Sequence, residues 1–169
     1  MKFLIYTVFF LSGFFFTSCP ATNEIYVVRH AEKSTEPAND PHLTNEGKQR
    51  AETLKDLLKD KNIIAIYSTE TNRTVETATP LSRVIKIPVQ YYGNDTLSVF
   101  LQRVISLKKN VLIVAHSNTS ITMIKGLNLS HTTTFIPDNV YDNMFIIKVK
   151  NGRAVKINET SYGVTFTKK

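Results

Sequence analysis

The stretch IYVVRHAEKS, residues 25–34, runs four apolar residues directly into Arg29 and His30. A short unbroken apolar run is typical of a strand that is buried on both faces, and we expect this one over residues 24–28. Ligands of open α/β sheets bind at the carboxyl ends of the strands. An arginine and a histidine that directly follow a buried strand are therefore candidates for a functional site.

The rest of the sequence alternates apolar runs with helical patterns. Further strands are predicted at residues 63–67 and 110–115, and helices at residues 44–60 with Thr44 as the cap, from about 71, at 97–105 and at 121–127. The alternation predicts an α/β fold whose sheet is largely parallel. An Asn151-Gly152 pair inside an alternating stretch predicts an antiparallel hairpin at the end of the sheet. Pro80 should kink the second helix or end it early.

Three separate segments bring cations or imidazoles to the same sheet edge. Arg29 and His30 follow the first strand, Arg73 lies in the first turn of the helix after the second strand, and His116 follows the third. Like charges about 4 Å apart cost around 4 kcal/mol at an effective dielectric constant of 20, so this cluster requires an anion. Arginine binds phosphate oxygens through two parallel hydrogen bonds, which favours a phosphoryl group.

The motifs around these residues resemble a known family. An Arg-His pair alone is not specific, but VVRHAEK, LTNEGKQRAETL (43–54), IYSTETNRTVETATPL (66–81) and LIVAHSNT (112–119) occur in the order found in the histidine phosphatase superfamily. The resemblance covers about residues 24–163 and is strongest to short members that open with Arg-His-Ala-Glu-Lys. It implies the phosphoglycerate mutase-like fold, a three-layer α/β sandwich with helices on both faces of a mostly parallel sheet.

The resemblance also implies roles for the four residues. His30 matches the nucleophile that forms a phosphohistidine, Arg29 and Arg73 match the pair that binds the phosphoryl oxygens, and His116 matches the histidine that donates a hydrogen bond to them. Histidine attacks only when neutral, and two nearby guanidiniums favour that form. One ring nitrogen must be held protonated by an acceptor, for which a backbone carbonyl is one option.

The general acid is the least determined role. In the family it commonly comes from the segment after the second arginine's helix, where Asp95 is the only carboxylate. Asp95 or Thr96 is equally well explained as the cap of the following helix. Glu32 is the second candidate, and some short family members act without a clear acid on better leaving groups such as phosphohistidine.

Other polar residues have competing explanations. A metal site at His30 and His116 is disfavoured because adjacent cations repel a metal, so we predict no metal and no other cofactor. Ser117 lacks the Gly-x-Ser-x-Gly context of a serine nucleophile, whereas Ser117 and Asn118 suit anion binding at a helix start, with Asn118 a candidate substrate ligand. His42 and His131 lie in polar, loop-like stretches and are expected at the surface. Glu32 and Lys33 are expected either at the border of the pocket or as an exposed ion pair.

The N-terminal segment has the pattern of an export signal. Residues 3–16 are almost wholly apolar behind Lys2 and lead to Cys19, the only cysteine, so no intramolecular disulfide is expected. Cys19 resembles the lipidated cysteine of bacterial lipoproteins, although Phe16 stands where leucine is usual. We predict a signal peptide over residues 1–18, a single domain over 19–169, and an exported protein of the cell envelope anchored through lipid on Cys19.

The net charge is positive but dispersed. There are 21 Lys and Arg against 14 Asp and Glu, a formal charge of +7, without a run of five basic residues. We therefore expect no nucleic-acid binding. The expected partner is a small phosphorylated substrate or a phosphoprotein, and the oligomeric state is left open. The sequence predicts a metal-independent phosphatase, with a mutase-like phosphotransferase and a catalytically weak phospho-ligand-binding protein as alternatives.

Overall fold

The computed structural model describes residues 22–93 and 96–164 and shows an α/β fold. Its elements, in chain order, are β1 (Thr22–Arg29), α1 (Asn45–Leu58), β2 (Ile63–Ser68), α2 (Asn72–Ile85), β3 (Val89–Tyr91), α3 (Leu97–Ser106), β4 (Asn110–Ala115), α4 (Ser117–Gly126), β5 (Asn143–Lys150) and β6 (Arg153–Ser161).

The strands form one sheet in the order β3-β2-β4-β1-β5-β6. The strands β1 to β4 pair in parallel, and β5 and β6 add two antiparallel strands beside β1. The turn between β5 and β6 has φ 53° at Asn151 and 75° at Gly152. Both values lie in the left-handed region that a two-residue hairpin turn requires, so the predicted hairpin is confirmed.

Helices cover both faces of the sheet because the side chains of β1 alternate between them. Ile25 and Val27 pack with apolar residues of α3 and α4. Tyr26 and Val28 pack with α1 and α2 on the other face. All four are at most 2% exposed. The predicted three-layer arrangement is thus confirmed, and β1 is the buried strand that its apolar run indicates.

Two details of the structure go beyond the prediction. Of the two alternatives for Pro80, the early end is not observed, because α2 continues to Ile85. Proline inside a helix costs about 3 kcal/mol, and the complete burial of Leu81, the next residue, offsets part of this cost. The strand β3 was not predicted, because three residues are too few to show a periodic pattern.

The segment that follows β1 is held against α1. Thr44 caps α1 as predicted, its hydroxyl accepting from the N–H of Gly47 at 3.1 Å. A Cβ atom at Gly47 would overlap the carbonyl oxygen of Glu32, so only glycine allows the helix to approach this closely. Of the two alternative caps for α3, Thr96 is the one observed.

Candidate active site

The pairing of β1 with β4 brings the two histidines together. Arg29 lies opposite Ala115 in the parallel register. The N–H of His30 donates to the carbonyl oxygen of Ala115 at 2.9 Å, which extends the ladder by one residue. The rings of His30 and His116 consequently lie edge to face with their centroids 5.5 Å apart. Two chain segments more than eighty residues apart thus meet at one sheet edge, as the strand pattern predicts.

His30 is held as a neutral imidazole with one defined tautomer. Its Nδ1 lies 2.8 Å from the carbonyl oxygen of Ala31. A carbonyl accepts only, so Nδ1 carries the proton and Nε2 presents its lone pair. Burial lowers the pKa of His30 to about 3, the contact with Ala31 works against this, and the charge of Arg29 adds to it. The side chain is therefore neutral near pH 7, as a nucleophile must be.

Arg29 is buried under the loop that precedes β5. Its Nη1 donates to the carbonyl oxygens of Pro137 at 2.7 Å and Val140 at 2.9 Å. Its guanidinium lies 4.4 Å from the ring centroid of Tyr141. Its Nε is buried without a hydrogen-bond partner among the described residues. A charged donor that is buried and unpaired is costly, so this N–H indicates an acceptor supplied by a ligand.

Arg73, in the first turn of α2, completes the cluster. Its charge contributes to the lowered pKa of both His30 and His116. Its Nη1 lies 3.5 Å from Oδ1 of Asp40, and that oxygen also accepts from the N–H of Asn72 at 2.9 Å. Asp40 thus joins the loop after β1 to the start of α2 and holds the arginine at the rim.

His116 lies at the start of α4. Its Nε2 is 3.0 Å from the hydroxyl oxygen of Thr69, and its backbone N–H donates to the hydroxyl of Thr119 at 2.9 Å. Burial, followed by the charges of Arg73 and Arg29, lowers its pKa to about 4. In the tautomer that carries its proton on Nε2, a neutral His116 donates one hydrogen bond, which Thr69 or a phosphoryl oxygen of a bound ligand can accept.

The space between the arginines is not filled by a carboxylate of the described residues. Asp138 lies 3.8 Å from Nη2 of Arg29, and its own side chain is fully exposed. Asp40 approaches Arg73 no closer than 3.5 Å. Both separations exceed that of a charge-assisted hydrogen bond, about 2.8 Å. The four predicted residues are therefore gathered around a centre that carries excess positive charge.

Sequence reasoning missed a threonine that ties this centre together. The Thr77 hydroxyl donates to the carbonyl oxygen of Arg73 at 2.7 Å and accepts from the N–H of Ala31 at 2.9 Å. Thr77 is fully buried. It connects the helix that carries Arg73 with the residue after His30. A threonine inside a helix gives no signal of such a role, because its second partner is 46 residues away.

Glu32 lies beside the site but is committed to an ion pair. Nε of Arg50 donates to both carboxylate oxygens at 3.0 Å, and Nη2 donates to Oε1 at 2.7 Å. The Glu32 side chain is 23% exposed and that of Arg50 is 7% exposed. The predicted ion-pair explanation of Glu32 thus holds with Arg50, rather than with Lys33, as the partner. A carboxylate that forms three such contacts is poorly placed to deliver a proton.

The remaining predicted residues lie outside the cluster. Asn118 is exposed, and its Oδ1 accepts from the N–H of Thr119 at 2.9 Å. His42 is at the surface as expected, 57% exposed and paired with Glu76. His131 is half-buried, with Nδ1 2.8 Å from the carbonyl oxygen of Leu129. Asp95 and Cys19 lie outside the described residues.

Comparison with known proteins supports the assignment suggested by the motifs. The model of the histidine phosphatase superfamily (branch 1) matches residues 25–94. No curated protein matches the chain in sequence. Over this N-terminal part the chain is similar to the histidine phosphatase superfamily.

Solved structures share the fold at low sequence identity. YhfR of Bacillus stearothermophilus superposes with a TM-score of 0.64 at 19% identity, over 79% of this chain and 94% of YhfR. The protein histidine phosphatase SixA in complex with tungstate gives 0.65 at 16% identity, over 82% and 96%. The phosphoserine phosphatase of Entamoeba histolytica, in complex with 3-phosphoglyceric acid, gives 0.54 at 15% identity, over 85% and 98%.

Proposed function

We propose that this protein is a phosphatase that hydrolyses small phosphomonoesters or phosphorylated side chains through a phosphohistidine on Nε2 of His30. The observation that carries the proposal is the buried, unpartnered Nε of Arg29 beside a neutral His30. A phosphoryl oxygen satisfies that donor and neutralises the excess positive charge, while phosphorus is brought next to the lone pair of Nε2.

The reaction has two displacements at phosphorus. In the first, the lone pair of Nε2 forms a bond to phosphorus, the ester P–O bond breaks, and the leaving oxygen takes a proton. The carbonyl of Ala31, 2.8 Å from Nδ1, stabilises the positive charge that the ring acquires. In the second, water attacks phosphorus and returns a proton to the group that protonated the leaving oxygen, the P–N bond breaks, and inorganic phosphate leaves while Nε2 recovers its lone pair. Arg29, Arg73 and His116 stabilise the equatorial oxygens in both steps.

The proton donor for the leaving oxygen is proposed to be Asp95. Asp95 lies outside the described residues, so the support for this role comes from the sequence alone. It is the only carboxylate in the segment 88–100. A carboxylic acid in this role is worth about two to four orders of magnitude in rate for a poor leaving group. Substrates with good leaving groups would turn over without it.

Hydrolysis of p-nitrophenyl phosphate by the purified full chain tests the proposal. We expect turnover in the presence of EDTA, loss of at least 10³-fold in His30→Ala, and little change in the matched control His42→Ala, whose imidazole pairs with Glu76 at the surface. Brief incubation with ³²P-labelled substrate should give an acid-labile label that His30→Ala lacks. Equal rates for the wild type and His30→Ala would exclude the mechanism, and phosphate binding without turnover would favour the alternative phospho-ligand-binding protein.

A substitution of Arg73, in α2, tests the contribution of the paired hydrogen-bond donors of its guanidinium. Arg73→Lys retains the charge but not the paired donors, so kcat/KM should fall by about 10²-fold. Arg83→Lys, in the last turn of the same helix, is the control and should retain wild-type kinetics. Equal kcat/KM for Arg73→Lys and Arg83→Lys would show that only charge at this position matters.

We also propose export and anchoring through a lipid on Cys19, after removal of residues 1–18. The proposal rests on the apolar N-terminal run of the sequence. Within residues 22–93 and 96–164, no helix is long and apolar enough to cross a bilayer. Fractionation of bacterial cells should find the wild type with the membrane and Cys19→Ser in the soluble fraction. The same distribution for both proteins would exclude the lipid anchor.

A further inference from the structure

The ring of Tyr141 borders both the candidate phosphoryl site and a neighbouring cleft. Its centroid lies 4.4 Å from the Arg29 guanidinium and 5.9 Å from the His30 ring centroid. Tyr141 also lines a cleft of about 310 Å³ between α1 and the loop that precedes β5. The same side chain therefore borders both the candidate phosphoryl site and this cleft.

This space, the Tyr141 cleft, has a defined lining. Besides Tyr141 it is formed by Glu46, Gln49 and Asn139, with the ion pair of Glu32 and Arg50 at its side. The side-chain amides of Gln49 and Asn139 have no hydrogen-bond partner among the described residues, and both are exposed to the cleft and to solvent. They are available to hydrogen-bond a bound group, since each amide offers donors and an acceptor.

The charge of the Tyr141 cleft is negative. Among the described residues that line it, the one cation is Arg50, which is neutralised by Glu32 and also donates to the carbonyl oxygens of Tyr162 at 2.5 Å and Val164 at 2.9 Å. Glu46 remains without a cationic partner among the described residues. Hydrogen bonds from its own backbone N–H and from Thr44 lower its pKa, so it is ionised at neutral pH. A carboxylate placed in this cleft would be repelled, whereas an ammonium group would be attracted.

We propose that the Tyr141 cleft binds the leaving group of the substrate and selects a neutral or cationic hydrogen-bonding end over a carboxylate. The inference rests on the proposed phosphatase function and defines its substrate class: phosphate esters of amino alcohols or of neutral alcohols. It separates this protein from a mutase of phosphorylated carboxylic acids, for which a cationic pocket would be required.

The test compares kcat/KM for three esters of nearly equal size: 2-aminoethyl phosphate, 2-hydroxyethyl phosphate and carboxymethyl phosphate. We expect the aminoethyl ester to exceed the carboxymethyl ester by about tenfold at low ionic strength, and less in 0.5 M salt. Glu46→Gln should bring this ratio to within about twofold of one. Glu52→Gln, on the same helix but paired with Lys55, should retain the wild-type ratio.

The two proposals fail in distinguishable ways. A preference for the carboxymethyl ester, or a ratio that Glu46→Gln leaves unchanged, would overturn the Tyr141 cleft as the selective site while His30-dependent hydrolysis of p-nitrophenyl phosphate continues to support the phosphatase. Absence of that hydrolysis from the wild type would overturn both. Because the comparison is a ratio within one variant, a change in the folded fraction caused by Glu46→Gln cancels.

Discussion

Nδ1 of His30 lies 2.8 Å from the carbonyl oxygen of Ala31, the next residue in the chain. This single contact fixes which ring nitrogen is free to react. Together with burial, which lowers the pKa of His30 to about 3, it leaves a neutral ring whose Nε2 lone pair is available, as the proposed nucleophilic role requires. The same burial makes the stability of the fold depend on pH.

Stability should fall as the pH is lowered from 7 to 5. The pKa of His30 is 6.5 in its ordinary state and about 3 in the fold. Between these values the unfolded chain binds more protons, so the free energy of unfolding is largest above pH 6.5 and is lost as the pH falls towards 3. Urea unfolding at pH 7, 6 and 5 should show a loss of about 1 kcal/mol per unit near pH 5 from this residue. His30→Gln should show a shallower slope, and equal slopes would contradict the prediction.

The bridge made by Thr77 should matter for both stability and catalysis. Thr77→Val retains the shape but leaves the buried N–H of Ala31 without an acceptor, at a cost of about 1–3 kcal/mol in the free energy of unfolding. We also expect kcat to fall about tenfold, because Ala31 orients the His30 ring. The control is Thr79→Val, whose hydroxyl makes the same contact to the carbonyl four residues back, at 2.7 Å, and no other. Equal effects of the two substitutions would exclude a specific role for Thr77 at the site.

Glu32 should behave as a structural partner of Arg50 and not as the general acid. Glu32→Gln removes the charge that balances a nearly buried guanidinium, and it should lower the free energy of unfolding by about 2 kcal/mol. The exposed pair of Glu52 and Lys55 provides the comparison, since Glu52→Gln should cost at most about 0.5 kcal/mol. The ratio of alkyl phosphate to p-nitrophenyl phosphate hydrolysis should not change in Glu32→Gln. A selective loss of the alkyl reaction would instead identify Glu32 as the proton donor.

Asp95→Asn should slow hydrolysis of an alkyl phosphate by about 10²-fold or more and that of p-nitrophenyl phosphate far less, because p-nitrophenolate leaves without a proton. Asp138→Asn is the informative comparison, since Oδ1 of Asp138 lies 3.8 Å from Nη2 of Arg29 at the rim of the site. An unchanged alkyl rate in Asp95→Asn would exclude Asp95, and a selective loss in Asp138→Asn would assign the role there.

The placement of Arg29, His30 and His116 could be predicted because it depends on a local rule. Each residue directly follows an apolar run, and parallel neighbouring strands end at the same sheet edge. The placement of Arg73 follows from the same rule, because it lies in the first turn of the helix that follows β2. Asn118 was predicted from the same segment, but its side chain bonds to Thr119 at the start of α4. Being next to a site residue in sequence does not determine the direction of a side chain.

The amino-acid sequence by itself determined the local features: the buried apolar runs, the residues that end them, the hairpin at Asn151-Gly152 and the excess of cations at one sheet edge. Only the tertiary structure decided the tautomer of His30, the bridge through Thr77, the pairing of Glu32 with Arg50 and the cleft lined by Tyr141. The physical reason is range. Periodicity and turn preference act between neighbours in the chain, whereas hydrogen bonds and ion pairs join residues that only the packed fold brings within 3 Å.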